Sequence, residues 1–299
     1  MLLLVALLTA AQDTAILPEL LSRVAEEAES LQQNAPKSLT TETLQQRTLL
    51  PPSRFRPRIG RGAMAAPKPR FQVREIVSEY SVGTLNGSES RNLCEFRQVI
   101  KVDGRQVQST ESARHALSLG LKSADDRSRK RMLEDFAKHG LVDIATDYGL
   151  ILLAFNKRGQ QEMRFTPAGE EQIGTDAVLA LDWEQTSDTA GVLEFHGTQA
   201  SRRAMRGRLL VRRSDGLPIR VEVWTGHAQK GHSIRDEATI DYVQSAHGFL
   251  TPASVLHRHL VDNQLITENL YRYEPFKRFG ADTEIKFTEL ETPPPAAKK

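Results

Sequence analysis

Apolar and polar residues alternate strictly over much of the second half of the chain. Met205, Leu209 and Val211 fall on one side of a run whose other side carries Arg206, Arg208 and Arg212. Ile219, Val221 and Val223 oppose Arg220, Glu222 and Trp224. Ile234, Ala238, Ile240 and Tyr242 oppose Arg235, Glu237, Thr239 and Asp241, and Thr283, Ile285 and Phe287 oppose Asp282, Glu284 and Lys286. A period of two predicts strands with one buried face and one wet face. Ser214-Asp215-Gly216, "SAHG" and Asp262-Asn263 break these runs as turns. Strands joined by so few residues must be antiparallel neighbours, because a parallel crossover needs a dozen or more. Long strands in such a meander twist and curl. The predicted fold class is α+β: a curved antiparallel β-meander, half-barrel-like, with packed helices and an N-terminal amphipathic helix.

The period changes toward the N-terminus. Over residues 13–33, Ile16, Leu17, Leu20, Leu21, Val24, Ala28 and Leu31 recur at helical spacing, with Glu26, Glu27 and Glu29 elsewhere on the wheel. Pro18 fits only a first turn, which sets the expected helix start near Leu17. A shorter helix is expected over "TTETLQQRTLL", and Pro51 and Pro52 end it. Residues 71–107 read as β-strands joined by "NGSES" and by the Asp103-Gly104 turn. Two helices follow. Thr110 caps the first; Ser123 and Asp126 form a capping box for the second, and Gly140 stops it. In the second, Met132, Leu133 and Phe136 point inward, while Arg127, Arg129, Lys130 and Arg131 face water. "LILLAF", at residues 150–155, reads as a buried strand that opens the meander.

These patterns divide the chain into a leader at 1–11, N-terminal helices at 12–48 and a Pro/Arg-rich linker at 49–70. A mixed hairpin and two-helix region follows at 71–149, the meander at 150–287 and a disordered proline-rich tail at 288–299. The chain of 299 residues is long enough to bury a sizeable core, and 39% hydrophobic with 26% charged residues excludes global disorder. Leu2 to Ala11 form an apolar run ending in small residues, too short to span a bilayer, and read as a signal peptide cleaved near Ala11. That predicts a periplasmic or secreted protein. The net charge of +2 conceals a linker in which Arg54, Arg56, Arg58, Arg61, Lys68 and Arg70 stand without an acid. Such a run is commonly a solvated tether, and its functional reading is attraction to an anionic membrane surface. No nucleic-acid module accompanies it, so nucleic acid is not an expected partner.

The chemistry-bearing residues are sparse. There is no nucleophile elbow, zincin helix, Walker loop or C-x-x-C pair. Cys94 is the only cysteine and sits in a strand-like stretch as a packing residue. His257 and His259 share one strand face and would need a third ligand, with Glu268 or Asp241 conceivable, to hold zinc. They read better as half-exposed strand histidines, so no metal, no cofactor and no catalytic residue is expected. A cleft gathering them with carboxylates would instead point to hydrolysis. The Arg206–Arg212 face is expected to meet Glu222, and Glu237 or Asp241 beyond it, in solvent-side pairs. The candidate ligand-binding surface is the apolar sheet face formed by Leu209, Val211, Ile219, Val221, Val223, Ile240 and Tyr242. Tyr271, Tyr273, Phe276 and Phe279 close the curved sheet at its corner.

The stretch from "GRLLVRRSDGLPIRVEV" through "ENLYRYEPFKRFGADTEIKF" resembles the C-terminal half of an uncharacterised exported protein family of Acidobacteria-type bacteria. Its strand succession is similar to the LolA-like outer-membrane lipoprotein-sorting superfamily. That resemblance implies a half-barrel that shelters acyl chains, and it brings no catalytic residues. The expected function is an exported, non-enzymatic protein binding a hydrophobic or lipidic ligand in the cell envelope. The alternatives are an envelope interaction protein without a small ligand and an uncharacterised hydrolase.

Overall fold

The computed structural model describes residues 2–51, 68–84, 93–122, 126–144, 146–186, 193–196, 199–202 and 204–279. The chain begins with helix α1 (Leu2–Asn34) and a 3-10 turn (Ala35–Lys37), followed by strands β1 (Ser38–Leu49), β2 (Phe71–Thr84), β3 (Leu93–Val102) and β4 (Arg105–Gln106). Helices α2 (Thr110–Lys122) and α3 (Asp126–Lys138) precede a 3-10 segment (Tyr148–Phe155) and the short α4 (Lys157–Gln160). The remaining strands are β5 (Met163–Ile173), β6 (Asp176–Gln185), β7 (Leu193–His196), β8 (Gln199–Arg202), β9 (Arg206–Arg212) and β10 (Pro218–Gln229). They continue as β11 (His232–Gln244), β12 (Leu250–Val261), β13 (Gln264–Tyr273) and β14 (Lys277–Arg278). No described helix is long and apolar enough to cross a membrane.

Among the described residues, one antiparallel sheet holds twelve strands in the order β4-β3-β2-β1-β13-β12-β11-β10-β9-β6-β5, with β14 also on β1, while β7 and β8 pair separately. The sheet is open and curved like a half-barrel. The meander from β9 to β13 runs in sequence order, as the alternation predicts. The turns are built as the sequence demands. Asp103 and Gly104 have φ of 47° and 78°, and Asp262 and Asn263 have 49° and 63°. Left-handed backbone at both central positions matches the twist of the strands that each turn joins.

Several expectations are corrected. "TTETLQQRTLL" is a strand. Its Gln, Glu and Leu content favours helix, but β1 lies between β2 and β13 and pairs with both, so long-range hydrogen bonds override propensity. The division at 12–48 fails with it, because β1 is central to the sheet and Leu20, Val24, Ala28 and Leu31 of α1 belong to the main core. "LILLAF" is the 3-10 segment and packs across the sheet instead of joining it. Helix α1 continues through Pro18 instead of starting beside it. Arg129 is buried, contrary to its expected place in water. Phe279 is exposed, whereas Tyr271 and Phe276 are buried and Tyr273 lies between Tyr80 and Phe276 with ring centroids 5.1 and 6.1 Å away. The "NGSES" loop, Ser123, Arg54, Arg56, Arg58, Arg61, the Thr283–Phe287 alternation and the tail lie outside the described residues.

Candidate functional site

Reading across the strands shows how the concave face is made. Leu181, Leu209, Val221, Ile240, Val255, Tyr271, Leu44 and Ile76 are successive register partners on β6, β9, β10, β11, β12, β13, β1 and β2. All eight are buried in one core. Next to this row runs a second: Trp183, Gly207, Val223, Ala238, His257, Asn269 and Gln46. It begins apolar and turns polar at β12. Gly207 is required there, since a Cβ would lie 1.8 Å from the Glu222 carbonyl oxygen and 3.1 Å from the Trp183 ring.

Of the predicted ligand face, Leu209, Val211, Val221, Val223, Ile240 and Tyr242 do share this concave surface. Ile219 does not. A bulge between Pro218 and Arg220 shifts the register, and Ile219 packs with Val178, Ala180 and Leu210 on the opposite side. One extra residue in a strand reverses the face of what it displaces. No sequence signal marked that bulge.

The concave face is roofed by α1 and by the 3-10 segment. Val24, Ala25 and Ala28 of α1 are fully buried, and the small alanines let the helix lie close. The 3-10 segment brings Ile151, Leu152 and Phe155 into the core, with Phe155 edge-on to Trp183 at 5.1 Å. Tyr242 fastens it. The Tyr242 hydroxyl donates to the Gly149 carbonyl at 3.2 Å and accepts from the Leu152 amide at 3.1 Å. Burial pushes the Tyr242 phenol well above its ordinary value, so it remains a donor.

The segment is held at its start by buried charges. Arg97 reaches Glu42 through Nε at 2.7 and 2.9 Å, and Glu95 through Nη2 at 2.7 Å. Its guanidinium also lies over the rings of Tyr80 and Tyr271, 5.1 and 5.3 Å from their centroids. Burial pushes the Glu42 carboxyl above its ordinary value, against the pull of the Arg97 guanidinium. Glu95 accepts from Tyr80 at 3.1 Å and from the Asp147 amide at 2.8 Å, and Asp147 accepts in return from the Glu95 amide at 2.9 Å. Arg129 closes the network on Asp147 and also donates to the Cys94 sulfur at 3.2 Å. Cys94 is buried and packed with Phe96 and Leu117, as its strand setting predicts. Gly149 is a consequence of this network, because a Cβ there would lie 2.5 Å from Glu95 Oε1.

A second polar cluster sits where the concave row turns polar. His257 and His259 are buried, not half-exposed, and both address Asp236 on β11. His257 Nε2 is 3.2 Å and His259 Nδ1 is 2.8 Å from Asp236 Oδ1. Burial alone would raise the Asp236 carboxyl; the hydrogen bonds from His257 and His259 outweigh it and hold the group well below the ordinary carboxylate range. Glu268 and Asp241, the conceivable zinc partners, lie elsewhere: Glu268 pairs with Arg47 and Arg258, and Asp241 with Arg220 and Ser254. Among the described residues no group of three or more histidines, cysteines or acids is arranged to hold a metal ion. Sequence reasoning missed Asp236, Asn269 and Gln46. Asp236 stands two residues before Ala238 on the apolar parity of β11, and that polar interruption was the available signal.

The outer face carries the expected charge pairs with different partners. Arg208 stands beside Glu222 in register but donates to Asp182 and Glu171, both at 2.9 Å.

No protein-family model and no curated protein matches the chain. Among solved structures it is similar to a putative outer membrane lipoprotein-sorting protein domain from Vibrio parahaemolyticus, at 9% identity and a TM-score of 0.35, covering 88% of this chain and 93% of that one. It is also similar to a DUF1329 family protein from Desulfovibrio piger, at 10% identity and a TM-score of 0.33, covering 87% and 94%. The MucA/MucB complex of Pseudomonas aeruginosa matches at 10% identity and a TM-score of 0.19, covering 85% of this chain and 99% of that one. None of these three comes from an Acidobacteria-type bacterium. At these identities and scores no function transfers from them.

Proposed function

We propose that this is an exported, non-enzymatic protein of the bacterial envelope that shelters a hydrophobic or lipidic ligand against the concave face of its sheet. The observation that carries the reading is the eight-residue apolar row from Leu181 to Ile76, roofed among the described residues by α1 and a 3-10 segment. Short 3-10 runs have poorer hydrogen-bond geometry than α-helices and do not persist by themselves. The weakest regular element therefore lies on the most apolar surface. Exposing that surface to water costs about 25 cal/mol per square ångström, so a displaced cover must be replaced by something equally apolar, such as acyl chains.

Export rests on Leu2–Ala11. A mature chain beginning near Gln12 leaves Pro18 close to the free end of the helix, and fraying back to Leu17 would put the proline in the first turn that suits it. The basic run of Arg54, Arg56, Arg58 and Arg61 suits anionic headgroups. A non-enzymatic role fits His257, which spends both ring nitrogens on hydrogen bonds in a buried setting. Native protein extracted with organic solvent and analysed by mass spectrometry should release a lipid or other hydrophobic compound, and the emptied protein should take up a hydrophobic dye. N-terminal sequencing should begin near Gln12.

A second reading, an envelope interaction protein without a small ligand, is favoured by one fact. Leu209, Val211, Val221 and Ile240 are already fully covered by the chain itself. A clean extract together with no dye binding would leave that reading in place of the first.

A further inference from the structure

The His257 cluster is wired to the cover, and the wiring has a direction. Backbone groups fix every proton in it. The Val142 amide donates to Gln46 Oε1 at 3.0 Å, so Gln46 must present its Nε2, which donates to the Val142 carbonyl at 2.7 Å and to Asn269 Oδ1 at 2.6 Å. With Oδ1 accepting, Asn269 must present Nδ2 to the Asp143 carbonyl, 2.9 Å away. That same Nδ2 lies 3.3 Å from His257 Nδ1, which must then be an unprotonated acceptor. His257 Nε2 carries the ring's proton toward Asp236. Only the neutral, Nε2-protonated imidazole satisfies the chain of donors.

We propose that His257 is a proton-operated latch beside the cover of the concave face: neutral His257 docks Val142 and Asp143 through Asn269 and Gln46, and protonated His257 releases them. A second proton at Nδ1 would meet the Asn269 donor head-on. Relief requires the Asn269 amide to turn, which removes its bond to Asp143 and its acceptor for Gln46. Val142 and Asp143 precede Tyr148 and the 3-10 segment closely in the chain, and with them released the Glu95 and Arg129 contacts to Asp147 are left to hold the start of the cover. Asp236 makes the protonated ring tolerable, since an imidazolium there forms a buried ion pair with a carboxylate already ionised. The two arrangements are therefore both satisfiable, one with the loop docked and one without.

The titratable groups facing the ring are Asp236 from β11, His259 from β12 and Tyr148 from the 3-10 segment, whose ring centroid is 5.3 Å away. Asp143 approaches from the loop, its carboxylate 3.4 Å from the Thr267 hydroxyl. Unperturbed imidazole is the one side chain that changes charge in the range of roughly pH 5–8. The latch concerns the cover alone and does not require a ligand.

Trp183 reports on the cover because Phe155 stacks edge-on against it. In a Trp224→Phe background, which leaves Trp183 as the single tryptophan, emission should shift sigmoidally between pH 8 and pH 5 while far-ultraviolet circular dichroism stays constant. Hydrogen exchange at the Val142 amide, corrected for intrinsic rate, should rise at least about tenfold over the same range. His257→Gln mimics the neutral ring, with one acceptor and one donor, and should abolish both changes; His259→Gln should retain them. If His257→Gln does not fold, Asn269→Asp, which lacks the Nδ2 donor to the Asp143 carbonyl, should leave the Val142 amide exchanging rapidly at pH 8 as well and so remove the pH-dependent rise. No transition in the wild type, or an unchanged one in His257→Gln or Asn269→Asp, would overturn the proposal.

Discussion

The two faces of the sheet pair the same residue types under different conditions. On the convex side Arg208 bridges Asp182 and Glu171, Arg220 meets Asp241 at 2.6 Å, and Glu268 sits between Arg47 and Arg258. These side chains keep contact with water. On the concave side Arg97, Glu42 and Glu95 are each only 1% exposed. Water cannot replace a lost partner there. Outer pairs are therefore individually dispensable, whereas inner pairs are locked together: the desolvation cost has already been met, and removing one member strands the others.

Arg97→Met breaks this comparison hardest. It leaves Glu42 and Glu95 buried without their counter-charge and should destabilise by about 3–5 kcal/mol, read from the urea midpoint. Adding Glu42→Gln and Glu95→Gln should recover much of the loss, because it removes the stranded charges. A loss under about 1 kcal/mol for the single variant would mean that water reaches the site.

Next in size is the histidine cluster. His257→Ala with His259→Ala removes both donors from a buried carboxylate and should cost about 3 kcal/mol. The acid limb sharpens the point. A carboxyl whose folded value is depressed contributes fully above its unfolded value, about 3.9 for Asp, and has lost that contribution once pH has fallen through the lower folded value. Folded Asp236 therefore stays ionised where ordinary carboxylates are already protonating, and its contribution drains away steadily as pH falls from the unfolded value toward the folded one. Asp236→Asn should flatten that limb. An unaltered stability–pH profile in Asp236→Asn would show that the carboxylate is not held down by its histidines.

What could be read in advance follows the same division. Strands β9 to β13 alternate over long stretches and join through short turns, so local sequence suffices to place them. β1 was misread because "TTETLQQRTLL" carries polar residues on both faces. Glu42 and Gln46 are buried for partners on β3 and β13, and that information lies 55 and 223 residues away. The histidines were placed on the right strand and paired on one face, but their burial depended on Asp236 and on a loop that only the tertiary fold brings over. The shared apolar sheet face was legible except at Ile219, where one bulged residue changed sides.

Val221→Trp probes the apolar row between these polar clusters. Val221 is fully buried beneath the cover, so a larger ring overpacks the site and should cost roughly 1–3 kcal/mol by thermal or chemical melt. If the cover moves aside at little cost, the loss will fall below that range. Dye or lipid uptake should then be weakened, because the new ring occupies the space offered to a ligand.

The smallest effect belongs to the convex face. Arg208 makes two cross-strand ion pairs, yet its side chain is 33% exposed and its partners are more so. Each such pair gains little, since water solvates either charge almost as well once they part, and added salt screens the remainder. Arg208→Ala should cost about 0.2–1 kcal/mol, and the difference from wild type should shrink further in about 1 M salt. Asp182 and Glu171 would simply turn to solvent, an option closed to Glu42 and Glu95 when Arg97 is lost. A loss for Arg208→Ala as large as that for Arg97→Met, unaffected by salt, would place the convex charges in a buried setting. The two faces would then no longer differ in kind.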